Sequence, residues 1–132
     1  MDIKKCKLTH FASAIIIPLF ISSFILKPKP CSKLIRKLSE KWKLDTLGRQ
    51  GFRINKAHLL RECRIDKVNY NNVYKYLGEP NLPYTDTIAL NLQYFTYTET
   101  RTDGSLYYES IVFSFRKNDS ILVTIQQFDN TR

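Results

Sequence analysis

A chain of 132 residues has room for one domain, and any targeting segment must be subtracted before its core is counted. With 43% hydrophobic and 25% charged residues the composition is that of a folded protein, which excludes disorder of the whole chain. The net charge of +9 is concentrated early: from Val68 onward Lys75, Arg101, Arg116, Lys117 and Arg132 stand against Glu79, Asp86, Glu99, Asp103, Glu109, Asp119 and Asp129, so that half is slightly acidic and nucleic acid is an unlikely partner.

Lys4, Lys5 and Lys7 precede Phe11–Leu26, an uncharged run reading FASAIIIPLFISSFIL. A basic leader followed by an apolar stretch is the pattern of an export signal. The run falls short of the roughly 20 residues an untilted helix needs to cross a bilayer, and Pro18 interrupts it. Residues 1–30 are therefore expected to be a signal peptide or membrane anchor, and a buried core helix is the weaker reading. Ser22 and Ser23 offer only a weak cleavage site. Cys31 is a candidate for lipidation, although Pro28, Lys29 and Pro30 do not form a lipobox. Lys27, Lys29 and Lys33 would allow a cytoplasm-facing domain under the positive-inside tendency, against the periplasmic or cell-envelope placement that an export signal favours.

Cys6 lies in the leader, so Cys31 and Cys63 would remain after export. Two readings stand: a disulfide in an oxidising compartment, on whose proximity the spacing is silent, and an unpaired Cys63 buried on a helix, which the sequence favours.

Ser32–Leu44 places Leu34, Ile35, Leu38 and Trp42 along one helical face, with Lys33, Arg36, Lys37 and Lys41 around the rest. Such a basic amphipathic helix, just after a membrane segment, could lie on anionic lipid with Trp42 at the interface. A solvated linker or a helix packed on the domain is the competing expectation. Asp45–Arg53, with Gly48 and Gly51, has no period and reads as a loop, without the frame of a phosphate loop. Residues 31–53 are thus expected as a basic helix and linker ahead of a domain at 54–132.

A helix is expected from about Asn55 to Arg64, burying Leu59, Leu60 and Cys63. A second begins near Asn69 or Asn71, carries Val73, Tyr74 and Leu77, stops at Gly78 in a left-handed conformation and is closed by Pro80. Thr87–Thr100 then alternates as a strand, Leu90, Leu92 and Tyr94 opposing Phe95 and Tyr97 with an irregularity between. Asp103-Gly104 predicts a tight turn into Leu106–Arg116, whose Ile111, Phe113 and Phe115 share a face. Asn118-Asp119 leads to Ile121–Phe128, where Ile121, Val123 and Ile125 are expected on one face. Two helices covering a three-stranded antiparallel meander make an α+β sandwich.

The helix ending Val73-x-x-x-Leu77-Gly78-Glu79-Pro80-Asn81, followed by an aromatic strand and a meander, resembles the SmpA/OmlA family of small bacterial envelope lipoproteins. The resemblance covers about Ile54–Phe128 and extends to the small lipoprotein subunit of the outer-membrane β-barrel assembly machinery. It implies structural duty for Val73, Leu77, Gly78 and Pro80, and an envelope protein as partner.

Catalytic chemistry is hard to find. His58 is the one histidine outside the leader, and no H-E-x-x-H, G-x-S-x-G or C-x-x-C pattern occurs. Glu62 and Asp66 share a spacing of four residues, but Arg61, Arg64 and Lys67 crowd them, which favours solvated ion pairs over an acid/base dyad. No cofactor is expected, nor a metal. Tyr94, Tyr97, Tyr107 and Tyr108 are half-buried sheet residues or an exposed partner face. The expected function is a non-enzymatic, membrane-associated envelope module that binds a protein partner. The alternatives are a lipid-binding domain driven by the basic helix and, more weakly, a hydrolase using His58.

Overall fold

A computed structural model describes residues 27–130 of the chain. The expected leader, with its run Phe11–Leu26, lies outside the described residues. Three helices, α1 (Cys31–Leu44), α2 (Phe52–Glu62) and α3 (Tyr70–Leu77), precede four strands, β1 (Leu82–Thr85), β2 (Ala89–Thr100), β3 (Leu106–Arg116) and β4 (Leu122–Asp129). The strands form one antiparallel sheet in chain order, a meander. The fold is α+β as expected, with one helix and one strand more than the expected sandwich.

The additional helix is α1, expected over Ser32–Leu44 as a basic amphipathic helix ahead of the domain, lying on lipid or else a solvated linker or packed on the domain; the packed arrangement is the one observed. Its apolar stripe is drawn into the core: Leu34, Ile35, Leu38 and Trp42 are all buried beside Ala57, Leu60, Val73 and Leu77. Each large apolar side chain so covered contributes about 1.5–3 kcal/mol, and α1 packs on both α2 and α3. Among the described residues the core therefore starts at Cys31, and the expected boundary at residue 54 falls inside it. Trp42, fully buried, meets Tyr94 edge to face at 6.2 Å, and Tyr94 meets Phe113 at 5.8 Å.

The additional strand, β1, has the sequence LPYT and is exposed at all four positions, so it has no alternation to read. It pairs only with β2. Pro83, which has no N–H to give, is tolerated at such an edge.

The second expected helix is close to its reading. Asn69 caps α3, its side chain accepting from the Asn72 N–H at 2.8 Å. Val73, Leu77 and Pro80 are buried. Gly78 has φ 82° and ψ −167°, an extended positive-φ conformation that suits glycine rather than the expected left-handed one. The Gly78 N–H donates to the Tyr74 carbonyl at 2.9 Å, and the Gly78 carbonyl accepts from the Tyr94 hydroxyl at 2.9 Å.

The expected irregularity in β2 is present as a register shift between Phe95 and Tyr97. A second shift, between Ser114 and Phe115, changes the inward face of β4. Leu122 is buried and Ile125 packs on the core, whereas Val123 is exposed, in place of the expected Ile121, Val123 and Ile125.

The loop from Asp45 to Gly51 crosses the β2 bulge at close range. A Cβ on Gly48, whose φ is +68°, would stand 2.3 Å from the Thr96 carbonyl carbon. Gly48→Ala is therefore expected to destabilise the domain by about 3 kcal/mol, combining positive-φ strain with a backbone overlap. The check is the midpoint of urea-dependent proteolysis, with Gly104→Ala as control, since that glycine also has positive φ but nothing within 4 Å of its Cβ position.

Candidate functional site

Helix α2 begins at Phe52, three residues before the expected Asn55, with Gly51 as its cap. Its buried positions are Arg53, Ala57 and Leu60, spaced four and three apart. This rotation leaves Leu59, expected in the core, 36% exposed. Leu59 lies instead in a groove of about 740 Å³ between α1 and α2.

Leu34, Leu38, Phe52, Leu59 and Cys63 give the groove an apolar lining. Lys29, Arg36, Lys37, Lys41 and Lys56 bring cations to it, against Glu40 and Glu62. Glu62 is engaged by Arg61 at 3.3 Å. The Arg36 guanidinium lies 5.4 Å from the centre of the Tyr76 ring, and the Lys41 ammonium 6.0 Å from that of Phe52. Among the described residues, Lys37, Lys41 and Lys56 form no ion pair. An apolar lining with unneutralised cations suits an anionic amphiphile. The lining includes no histidine or serine, and its cysteine is oxidised.

That cysteine belongs to a clip at one end of the groove. Cys31 and Cys63 form a disulfide with Cα atoms 5.1 Å apart, in place of the favoured unpaired Cys63. The Cys31 N–H donates to the Arg64 carbonyl and the Arg64 N–H to the Lys29 carbonyl, each at 2.9 Å. Asp66, expected among solvated ion pairs, accepts from the Ser32 N–H at 3.0 Å and from the Ser32 hydroxyl. It thereby meets a first-turn amide of α1 that has no partner within the helix. With its sulfur bonded to Cys63 and fully buried, Cys31 has no free thiol to carry a lipid.

The remaining candidates separate. Lys33, Arg36, Lys37 and Lys41 are exposed on α1, as a surface role requires. Trp42 is not at an interface, because the domain's own core takes the apolar face it shares with Leu38. Tyr94 is a core residue, and burial raises its phenol well above the usual range. Tyr97, Tyr107 and Tyr108 are half-buried. The bulge divides them: by register Tyr97 and Tyr107 share one face, their rings 6.1 Å apart, while Phe95 and Tyr108 stack at 4.7 Å on the other. The Tyr97 and Tyr107 hydroxyls donate to Glu99 and Glu109, and these hydrogen bonds, ahead of desolvation and the carboxylate charges, hold both phenols above their usual pKa. On the Phe95–Tyr108 face the register also places Leu82, Tyr84 and Phe128, all exposed. His58 is exposed, outside the groove, and makes no hydrogen bond among the described residues. Among the described residues no three His, Cys, Asp or Glu side chains gather as a metal site, and no helix is long and apolar enough to cross a membrane.

Arg53 was missed as a structural residue, because an arginine at a core-facing position does not stand out from the other bases around it. Its Nε donates to the Trp42 carbonyl, and its Nη1 to the Thr46 carbonyl, Asn81 Oδ1 and the Phe95 carbonyl, at 2.9 to 3.1 Å. The guanidinium carbon lies 5.2 Å from the centre of the Trp42 ring and 5.8 Å from that of Tyr94. Burial lowers its pKa to about 10, with Asp45 and Tyr94 opposing, so it remains charged at neutral pH. Set against family models, curated proteins and solved structures, the chain finds no match in any of the three.

Proposed function

We propose that this chain is a non-enzymatic module of the cell envelope, held at a membrane by its N-terminal segment rather than by a lipid on Cys31, and presenting its surface to a protein partner, as the resemblance to the SmpA/OmlA family implies. The observation that carries the reading is the clip. A disulfide between Cys31 and Cys63 is at home in an oxidising compartment, which is where an export signal would deliver the domain. The bond also anchors the chain to the folded body five residues after the apolar run ends at Leu26. The partner face is best supplied by the side of the sheet turned from the helices, where Leu82, Tyr84 and Phe128 surround the Phe95–Tyr108 stack.

Protease added to intact spheroplasts is expected to digest the domain, and thiol alkylation before lysis is expected to leave Cys31 and Cys63 unlabelled. A protected domain with two reactive thiols would place it in the cytoplasm and overturn the reading. A second reading, contact with anionic lipid, is favoured by the exposed cations of α1 beside the groove.

A further inference from the structure

We propose that the groove between α1 and α2 takes an acyl chain of an anionic phospholipid, with the headgroup phosphate held by Lys37, Lys41 and Lys56. The inference rests on the membrane-tethered reading and deepens its lipid contact from a charged surface to a site. Three observations point to this occupant.

The first is the lining. Leu59 is a leucine on a helix surface that the core does not use, and it faces Leu34 and Leu38 across the groove. A volume of about 740 Å³ lies in the range of sites that enclose small molecules, roughly 300–1,000 Å³.

The second is charge. Lys37, Lys41 and Lys56 have no ion-pair partner among the described residues, Arg61 already engages Glu62, and Glu40 alone stands against the groove's five cations, so the groove attracts an anion.

The third is position. Pro28 and Lys29 line the groove, and Lys27–Cys31 spans at most about 18 Å when fully extended. With the apolar run in a bilayer, the Pro28 and Lys29 end of the groove stays within about 18 Å of the membrane surface. An acidic peptide would meet the same charges, but nothing confines it to that end of the domain.

The test is photo-crosslinking of the full chain carrying Leu59→p-benzoylphenylalanine, reconstituted into phosphatidylethanolamine vesicles with either phosphatidylglycerol or phosphatidylcholine. Flotation is read in parallel. The expected result is a phospholipid adduct at position 59 from the phosphatidylglycerol vesicles. Its yield should fall about fivefold for each of Lys37→Gln, Lys41→Gln and Lys56→Gln, while flotation through the leader is unchanged. A chain that floats but gives no lipid adduct at position 59, or equal adducts from both vesicle types, would overturn the proposal and leave the tether intact. A chain that does not float would remove the tethered reading and the proposal with it. Crosslinking in cells adds one more arm: a protein-sized adduct in place of a lipid-sized one would overturn the lipid site in favour of an acidic peptide partner.

Discussion

Replacing Arg53 with methionine is expected to destabilise the domain by about 3–5 kcal/mol, the largest effect of any single substitution considered. The side chain is 1% exposed and serves four acceptors from four parts of the chain: the end of α1, the following loop, the residue before β1, and the β2 bulge. Three of these acceptors keep another donor when the guanidinium goes. The Trp42 carbonyl still accepts from the Asp45 N–H, the Thr46 carbonyl from Asn81 Nδ2, and Asn81 Oδ1 from the Phe95 N–H. The larger loss is electrostatic, since Asp45, 2% exposed, keeps its amide bonds from Gln50 and Arg53 but loses the neighbouring positive charge. Lysine would restore a charge but not the planar fork that reaches Trp42, Thr46 and Phe95 together, so Arg53→Lys is expected to recover only about 1 kcal/mol of the loss. Urea-dependent pulse proteolysis of the full chain reads both values. An Arg53→Met protein within about 1 kcal/mol of the wild type would show that the network is not held by this charge.

What could be read before the structure was local. The limits of α3 are written in nearby residues: it starts after Asn69, which caps it, and stops at a positive-φ Gly78 before Pro80, although Gly78 is extended in place of left-handed. The β2 irregularity was legible because Leu90, Leu92 and Tyr94 alternate and then Phe95 and Tyr97 take over the aromatic positions. The stripe of α1 was equally plain, but an apolar stripe announces that a face will be covered and not by what. Membrane and protein core satisfy the same pattern. The face of β4 was misread because Val123 is an extra residue, left unpaired in β4 where Ser114 and Phe115 pair with Thr124 and Leu122, and so breaks the strand's alternation. The groove was invisible for a related reason: Leu59 and Leu60 are adjacent leucines, and only the burial of Arg53 and Ala57 decides which of the two turns inward. Long-range facts of this kind have no signature in local spacing, and neither does the approach of Cys31 to Cys63.

Loss of the Cys31–Cys63 disulfide, by Cys63→Ser or by reductant, is expected to destabilise the fold by about 3–4 kcal/mol. The bond closes a loop with a sequence separation of 32, and the entropy removed from the unfolded chain by a loop of that length has this size. The native contacts around it favour a loss near the full value. The backbone pairing of residues 29–31 with Arg64 and the Ser32–Asp66 contact hold the same segments in register, so little strain is released when the bond opens. Those contacts also predict how the reduced protein behaves. Its first turn of α1 should open locally at lower urea than the sheet, exposing the Lys29 and Cys63 end of the groove while Trp42 and Tyr94 remain packed. Hydrogen exchange measured with and without reductant checks this: protection should fall first at the amides of Cys31, Ser32 and Arg64 and last in β2 and β3. Equal loss of protection across helix and sheet would show that the clip is a determinant of the whole fold. Loss confined to the clip would overturn the expected destabilisation of the whole fold and show that the bond acts locally, holding the groove beside the point where the chain leaves the domain for its N-terminal segment.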